Sequence, residues 1–337
     1  MKKAYRKVKG KRLVSCVTII LLFGFMALVG VPVFAASGAD YPSKPILFYA
    51  LSTPGSGFDT TTRAIVNTLT KEKLVTVPMP VENATNASQG LALTVTRYKG
   101  DPYMISVQSI NGMMRYATGA SPYYHKDYMP LVGLINTYYG IAVRNDSPYK
   151  TLGDLVKDLK ERPEKTPICG GGSDDRPFYG ATFMKAGVDI NKITYVVYSG
   201  GAETSMAILE GSSKAAINSV DEQLGLVEGK KIRLLAVSAP KRYAHPALKD
   251  VPTLKESGID FEWANMRYTF AGPDFPDYAR KYWLNIFTKM VQTPTWKQTI
   301  SRYQWDDAFM IEGLKDALDK KQAIVTDVLT KLGMTKK

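Results

Sequence analysis

The chain has 337 residues, with 44 lysines and arginines against 31 aspartates and glutamates and a net charge of +13. Seven basic and no acidic residues lie before position 36, so the rest of the chain carries only +6 and holds no dense Lys/Arg block interleaved with aromatics. That balance excludes nothing outright but does not call for nucleic acid. Two histidines and two cysteines, outside any metal-ligand spacing, leave no basis for a zinc site or a resident cofactor.

In chain order, Lys2, Lys3, Arg6, Lys7, Lys9, Lys11 and Arg12 precede an uncharged run over residues 13–35 that ends in Val33-Phe34-Ala35. This reads as a signal peptide (residues 1–35) cleaved after Ala35. The run is longer than the usual secretory core of ~7–15 residues, so an uncleaved N-terminal membrane anchor stays open. Cys16 precedes the apolar run rather than following it, which argues against lipidation. Cys169 is then alone, and no disulfide can form within the exported chain.

Beyond the signal, strands alternate with helices. Residues 45–50 read as a short apolar strand, followed by a Gly/Ser loop and a helix with Ile65, Val66 and Leu69 on one face. Residues 75–78 and 103–107 read as strands, with a helix over 87–97 between them. Thr151 begins a second block. It stands in capping-box relation to Asp154 ahead of a helix with Leu152, Leu155, Val156 and Leu159 on its apolar face. Strands over 166–169, 193–198, 215–218 and 232–237 follow, then an extended stretch over 266–271 and helices over 276–291 and 312–332, the last closed by Gly333. The alternation predicts an α/β fold with parallel sheets. The chain crosses between blocks near residues 145 and 264, giving lobe 1 as 40–145 plus 265–337 and lobe 2 as 146–264, a geometry suited to hinge closure.

The chemistry concentrates in Pro54-Gly-Ser-Gly-Phe-Asp59. A phosphate-binding loop needs Lys-Ser/Thr where Phe58-Asp59 stands, and a dinucleotide fingerprint needs glycine where Thr60 stands. What is left is a loop of backbone N–H groups and hydroxyls at a helix start, able to hold a carboxylate. Alternatively, Asp59 only caps the helix and the glycines only turn the chain. Residues 170–173, and Gly200-Gly201 after Tyr198-Ser199, repeat the strand-to-glycine-to-helix design. Ser147-Pro-Tyr-Lys150 and Ser238-Ala-Pro-Lys241 match S-x-x-K but lack the accompanying S-D-N and K-T-G, so they read as chance. The pairs Asp174-Asp175 and Asp306-Asp307 are adjacent in sequence and do not face one another on a helix, so a two-carboxylate catalytic role gains no support.

Several stretches carry a resemblance. Tyr41-Pro-Ser-Lys-Pro-Ile46, Pro54-Gly-Ser-Gly-Phe-Asp59 with Arg63, Val81-Glu-Asn83, Ser147-Pro-Tyr-Lys-Thr-Leu152, and Asp250-Val-Pro-Thr253 with Glu256 and Gly258 follow one another in order. Together they resemble the substrate-binding proteins of tripartite tricarboxylate transporters, the Bug extracytoplasmic solute receptors. The resemblance implies a periplasmic-binding-protein (type II) fold of two α/β lobes joined by two crossover strands, with the ligand in the cleft. Carried over by position, Gly55, Ser56, Gly57 and Asp59 form one wall, Ser109 is their neighbour, and Gly172 and Ser173 form the facing wall. The sequence departs from the family pattern at Ser56, at Phe58 and in the acidic pair Asp174-Asp175. Arg267 is expected either to meet a ligand carboxylate, which suits a di- or tricarboxylate, or to form a structural ion pair. The implied function is a non-enzymatic, monomeric receptor that passes a small organic anion to membrane permease subunits. An exported serine hydrolase using Ser147 or Ser238, or a sensory receptor of the same fold, is the alternative.

Overall fold

The computed structural model describes residues 40–171, 175–198 and 201–336. The signal segment with its cleavage at Ala35, and the site residues Gly172 and Ser173 with their neighbour Asp174, lie outside the described residues. From Tyr41 onward the described residues belong to one compact unit.

In chain order the elements are β1 (Leu47–Ala50), α1 (Gly57–Lys71), β2 (Val81–Asn83), α2 (Ala87–Thr96), β3 (Met104–Ser109), α3 (Ile110–Ala117), β4 (Met129–Arg144), α4 (Leu152–Glu161), β5 (Ile168–Gly171) and α5 (Asp175–Lys185). They continue as β6 (Tyr195–Tyr198), α6 (Gly201–Glu210), β7 (Ala215–Ser219), α7 (Val220–Glu228), β8 (Ile232–Val237), β9 (Ala264–Ala271), α8 (Asp277–Gln292), α9 (Pro294–Tyr303), β10 (Asp306–Met310) and α10 (Leu314–Lys331).

The sheet is mixed rather than parallel. β1 pairs in parallel with β2 and β3, and β5 with β6 and β7, each through the expected helical crossovers. β4, β9 and β10 run antiparallel to their neighbours because the chain passes from one half of the sheet to the other as bare strand and returns the same way. β4 is 16 residues long and changes partners midway: Tyr138 lies opposite Ala264 of β9, whereas Tyr139 lies opposite Ser219 of β7. Residues 129–138 therefore belong to a first half with β1–β3, β9 and β10, and residues 139–144 to a second half with β5–β8.

The expected strand at 75–78 is displaced to β2. Pro78 and Pro80 have no N–H to give a ladder, so only their carbonyls take part, accepting from Ile46 N at 3.0 Å and Phe48 N at 2.9 Å. Thr151 does build the capping box: its hydroxyl accepts from Asp154 N, and the Asp154 carboxylate accepts from Thr151 N.

Three apolar clusters hold these elements. Ile46, Phe48, Ile65, Trp283 and Phe287 pack on the outer face of the first half, with Trp283 Nε1 donating to Tyr41 Oη at 2.8 Å. Cys169, Ile208, Ala216 and Val237 do the same in the second half. Burial pushes the Cys169 thiol up to about 11, so it is an inert core group. The third cluster joins residues of both halves, including Ile110, Phe178 and Leu318. α10 contributes to it by packing on α3 and reaching α5, where Gly180 leaves room for Leu332.

Candidate ligand-binding cleft

β1 ends under a turn in which Gly55 takes φ +80°, a conformation that glycine adopts without steric cost. Ser56 then caps α1, its hydroxyl accepting from Asp59 N at 3.4 Å. Ser56→Ala is expected to lower stability by about 1 kcal/mol in a urea titration, the usual effect of losing a serine cap; no change would mean that the long 3.4 Å bond contributes nothing.

The Asp59 carboxylate faces its own loop. One oxygen accepts from Gly55 N at 2.8 Å, and the other accepts from Arg63 Nε and Asn83 Nδ2, both at 2.9 Å. Asn83 Nδ2 also donates to Ser52 O at 2.8 Å, so this buried carboxylate ties the loop to α1 and β2. Burial pushes its pKa up, but the bonds from Arg63, Gly55 and Asn83 outweigh that and hold it below the usual aspartate value. The second half repeats the device: Asp175 Oδ2 accepts from Gly171 N at 2.5 Å, again across four residues. Asp175, one of the acidic pair that departs from the family pattern, is buried against its own loop.

Between the two loops lies a cleft of about 720 Å³. Gly55, Ser56, Gly57, Ser109 and Arg267 all line it, as does Phe58. Ser109 ends β3 and caps α3, accepting from Asn111 N at 3.1 Å. Asp59 stands behind the wall rather than in it. Further lining residues, among them Arg115, Glu203, Asp221 and Glu222, had no place in the sequence reading. Asp221 and Glu222 open α7, where acidic residues are common simply because they suit a helix N-terminus, so they carry no visible functional signal.

Arg267 is buried at the floor of this cleft. Its Nη1 donates to Thr61 Oγ1 at 2.8 Å and stands 3.7 Å from Asp221 Oδ2, and its guanidinium lies over the Trp305 ring at 5.8 Å. Trp305 Nε1 donates to the same Asp221 oxygen at 2.9 Å. A Cβ on Gly57 would come within 2.5 Å of Arg267 Nη2, so glycine there makes room for the guanidinium. Asp221 belongs to the second half and Arg267, Thr61 and Trp305 to the first, so these contacts cross the cleft floor.

The serines of the alternative reading are occupied elsewhere. Ser238 is fully buried, donates to Trp263 O at 2.7 Å and accepts from Tyr139 N at 2.9 Å. The Ser147 hydroxyl accepts from Tyr149 N at 3.3 Å within a turn, and neither serine lines the cleft. Among the described residues there is no cluster of three His, Cys, Asp or Glu side chains placed to hold a metal, and no helix is long and apolar enough to cross a membrane.

The sequence model of the family described as tripartite tricarboxylate transporter family receptor matches residues 62–326. A protein encoded in the gbd 5′ region of Cupriavidus necator is 25% identical over 312 residues, covering 89% of this chain and 91% of its own. Among solved structures, Rhodopseudomonas palustris Rpa4515 with adipate superposes with a TM-score of 0.75 at 19% identity, covering 88% of this chain and 99% of that one. MatC of the same organism, with bound malate, gives a TM-score of 0.70 at 17% identity over 86% and 100% of the two chains. These likenesses establish the fold as that of the periplasmic solute-binding proteins.

Proposed function

The chain belongs to the tripartite tricarboxylate transporter receptor family, and from that premise we propose that it captures a small organic acid outside the cytoplasm and delivers it to membrane permease subunits. The observation that carries the reading is the α1 start. Gly57 and Phe58 are the first two residues of the helix, so their N–H groups have no intrahelical partner, and both residues line the cleft. Such a terminus attracts a carboxylate through its donors and its dipole. Malate in MatC and adipate in Rpa4515 are carboxylates, which supports the same chemistry here.

Gly55, Ser56 and Gly57 supply the first wall with Ser109 beside it, while Asp59 acts by holding that wall in shape. Gly172 and Ser173 complete the facing wall by position in the family pattern. Closure brings lobe 1 (40–145 plus 265–337) and lobe 2 (146–264) together about β4 and the strand leading into β9. The receptor works as a monomer, without a cofactor and without turnover, after export by its N-terminal segment.

A thermal-shift screen of the protein against mono-, di- and tricarboxylates and amino acids tests this. A ligand present at 100 times its Kd stabilises the folded state by about 2.7 kcal/mol, so a saturable rise in Tm without consumption of the acid is expected. A folded protein silent toward every acid in the panel would sink the reading.

A further inference from the structure

We propose that the outer face of the first half, built by α1, α8 and α9, docks against the anionic phospholipid surface of the membrane. The inference goes beyond ligand capture and states where the receptor stands while it works.

The three helices form one layer. They cover the cluster that holds Phe48, Ile65, Trp283 and Phe287, and α9 packs against both α1 and α8. α8 buries Ala279, Trp283, Ile286, Phe287 and Met290 and leaves Lys281 and Lys289 exposed, about 12 Å apart along the helix. α9 buries Trp296 and exposes Lys297 and Arg302, and the end of α1 adds the exposed Lys71 and Lys73. Glu72 Oε1 accepts from Thr295 N at 3.2 Å, which sets the α1 end beside the α9 start.

The charge on this layer is of one sign. Against those six exposed cations the three helices present one exposed carboxylate, Asp277. None of the six is in an ion pair among the described residues. Residues from 36 onward carry only +6, so most of that excess gathers here. α10 shows the ordinary mixture: Lys315, Lys320 and Lys331 are interspersed with Asp316, Asp319 and Asp327, and Lys331 meets Asp327 at 2.7 Å. A face of one sign attracts a partner of the other.

The route of the chain selects the membrane among anionic partners. Tyr41 packs on α8: its ring lies 5.5 Å from that of Tyr278 and 5.1 Å from that of Tyr282, and its hydroxyl accepts from Trp283 Nε1 at 2.8 Å. The uncharged run ends at residue 35, and residues 36–40 reach at most ~18 Å when extended. While that run is in the bilayer, α8 therefore stands at the headgroups. Half-buried Tyr278 and Tyr282 beside exposed Lys281 suit that layer, where amphipathic rings and cations settle. Docking here leaves the ligand site free, since Gly57 opens α1 at the cleft and Lys71 ends it about 21 Å away.

Co-flotation with vesicles tests the proposal, using the exported form from residue 36, which keeps the compact unit and cannot bind by inserting the apolar run. It is expected to bind vesicles of ~30 mol% phosphatidylglycerol in phosphatidylcholine at low salt, to ignore pure phosphatidylcholine, and to be released as salt screens the contact. Each surface cation contributes roughly a fivefold factor, so Lys289→Gln with Lys297→Gln should weaken binding on the order of 25-fold. Lys315→Gln with Lys320→Gln, an equal charge change on α10, should alter it by less than about twofold. Equal losses for the two pairs would reduce the effect to net charge and overturn the docking face. Folded protein that stays off the anionic vesicles at low salt would overturn the membrane as partner and leave an acidic protein surface for this face.

Discussion

Arg267→Ala is expected to lower the unfolding free energy by about 3–5 kcal/mol, the cost of leaving one partner of a buried ion pair without its counter-charge. Both side chains of the pair are 4% exposed, and removing the guanidinium leaves the Asp221 carboxylate enclosed with Trp305 Nε1 donating to it. Thr61 Oγ1 loses its partner as well, and the space that Gly57 leaves for the guanidinium becomes a void. Replacing both partners with apolar side chains, Arg267→Met with Asp221→Leu, is expected to recover most of the loss, since the burial cost of the second charge disappears too. Urea titrations of the two single variants and the double variant close the cycle. A loss below about 1 kcal/mol for Arg267→Ala would show that the 3.7 Å pair is effectively solvated.

This placement bears on ligand class. From sequence, Arg267 was equally a clamp for a second ligand carboxylate and a structural cation. Its Nη1 bond to Thr61 and approach to Asp221 give it a structural role, while the residue also lines the cleft.

What the sequence discloses depends on how local the cause is. The Thr151–Asp154 capping box and the glycine loop entering α1 are decided within a few residues, and both are present where the pattern puts them. The handover of β4 between Tyr138 and Tyr139 is not local, because alternation along a strand records which face is buried and not which strand lies beside it. β10 escaped notice for a related reason: Asp306 and Asp307 begin it, and its exposed and half-buried residues give no apolar run. The burial of Asp175 has a local signal. Gly55 and Asp59 share with Gly171 and Asp175 the spacing G-x-x-x-D, which brings the carboxylate back over the glycine N–H. By contrast, nothing near Asn265 or Ser219 in the chain marks them as cleft residues, since they line it from two strands, β9 and β7, that flank the β4 handover.

Asp59 offers a prediction in which fold and function change together. Its side chain is 6% exposed and accepts from three separate segments: the loop, α1 and β2. Arg63 is 54% exposed, so solvent screens its share, and the bonds from Gly55 and Asn83 dominate. Asp59→Asn keeps the shape but turns an NH2 group toward one of these donors, and a loss of about 2–4 kcal/mol is expected from bonds to a charged acceptor. The pH dependence has a definite sign. The folded-state pKa lies below the unfolded aspartate value of ~3.9, so the contribution is complete above that value and is lost as pH falls through the folded one. Unfolding free energies of the wild type and Asp59→Asn should therefore differ by a constant amount from neutral pH to about pH 5 and converge below about pH 4. The same variant is expected to bind acids more weakly at neutral pH, because Gly55 and the α1 start lose the anchor that holds their N–H groups toward the cleft. A stability gap that persists unchanged to pH 3 would place the loop's anchor elsewhere. A gap that closes on schedule with ligand affinity unaltered would separate the anchor from the binding wall.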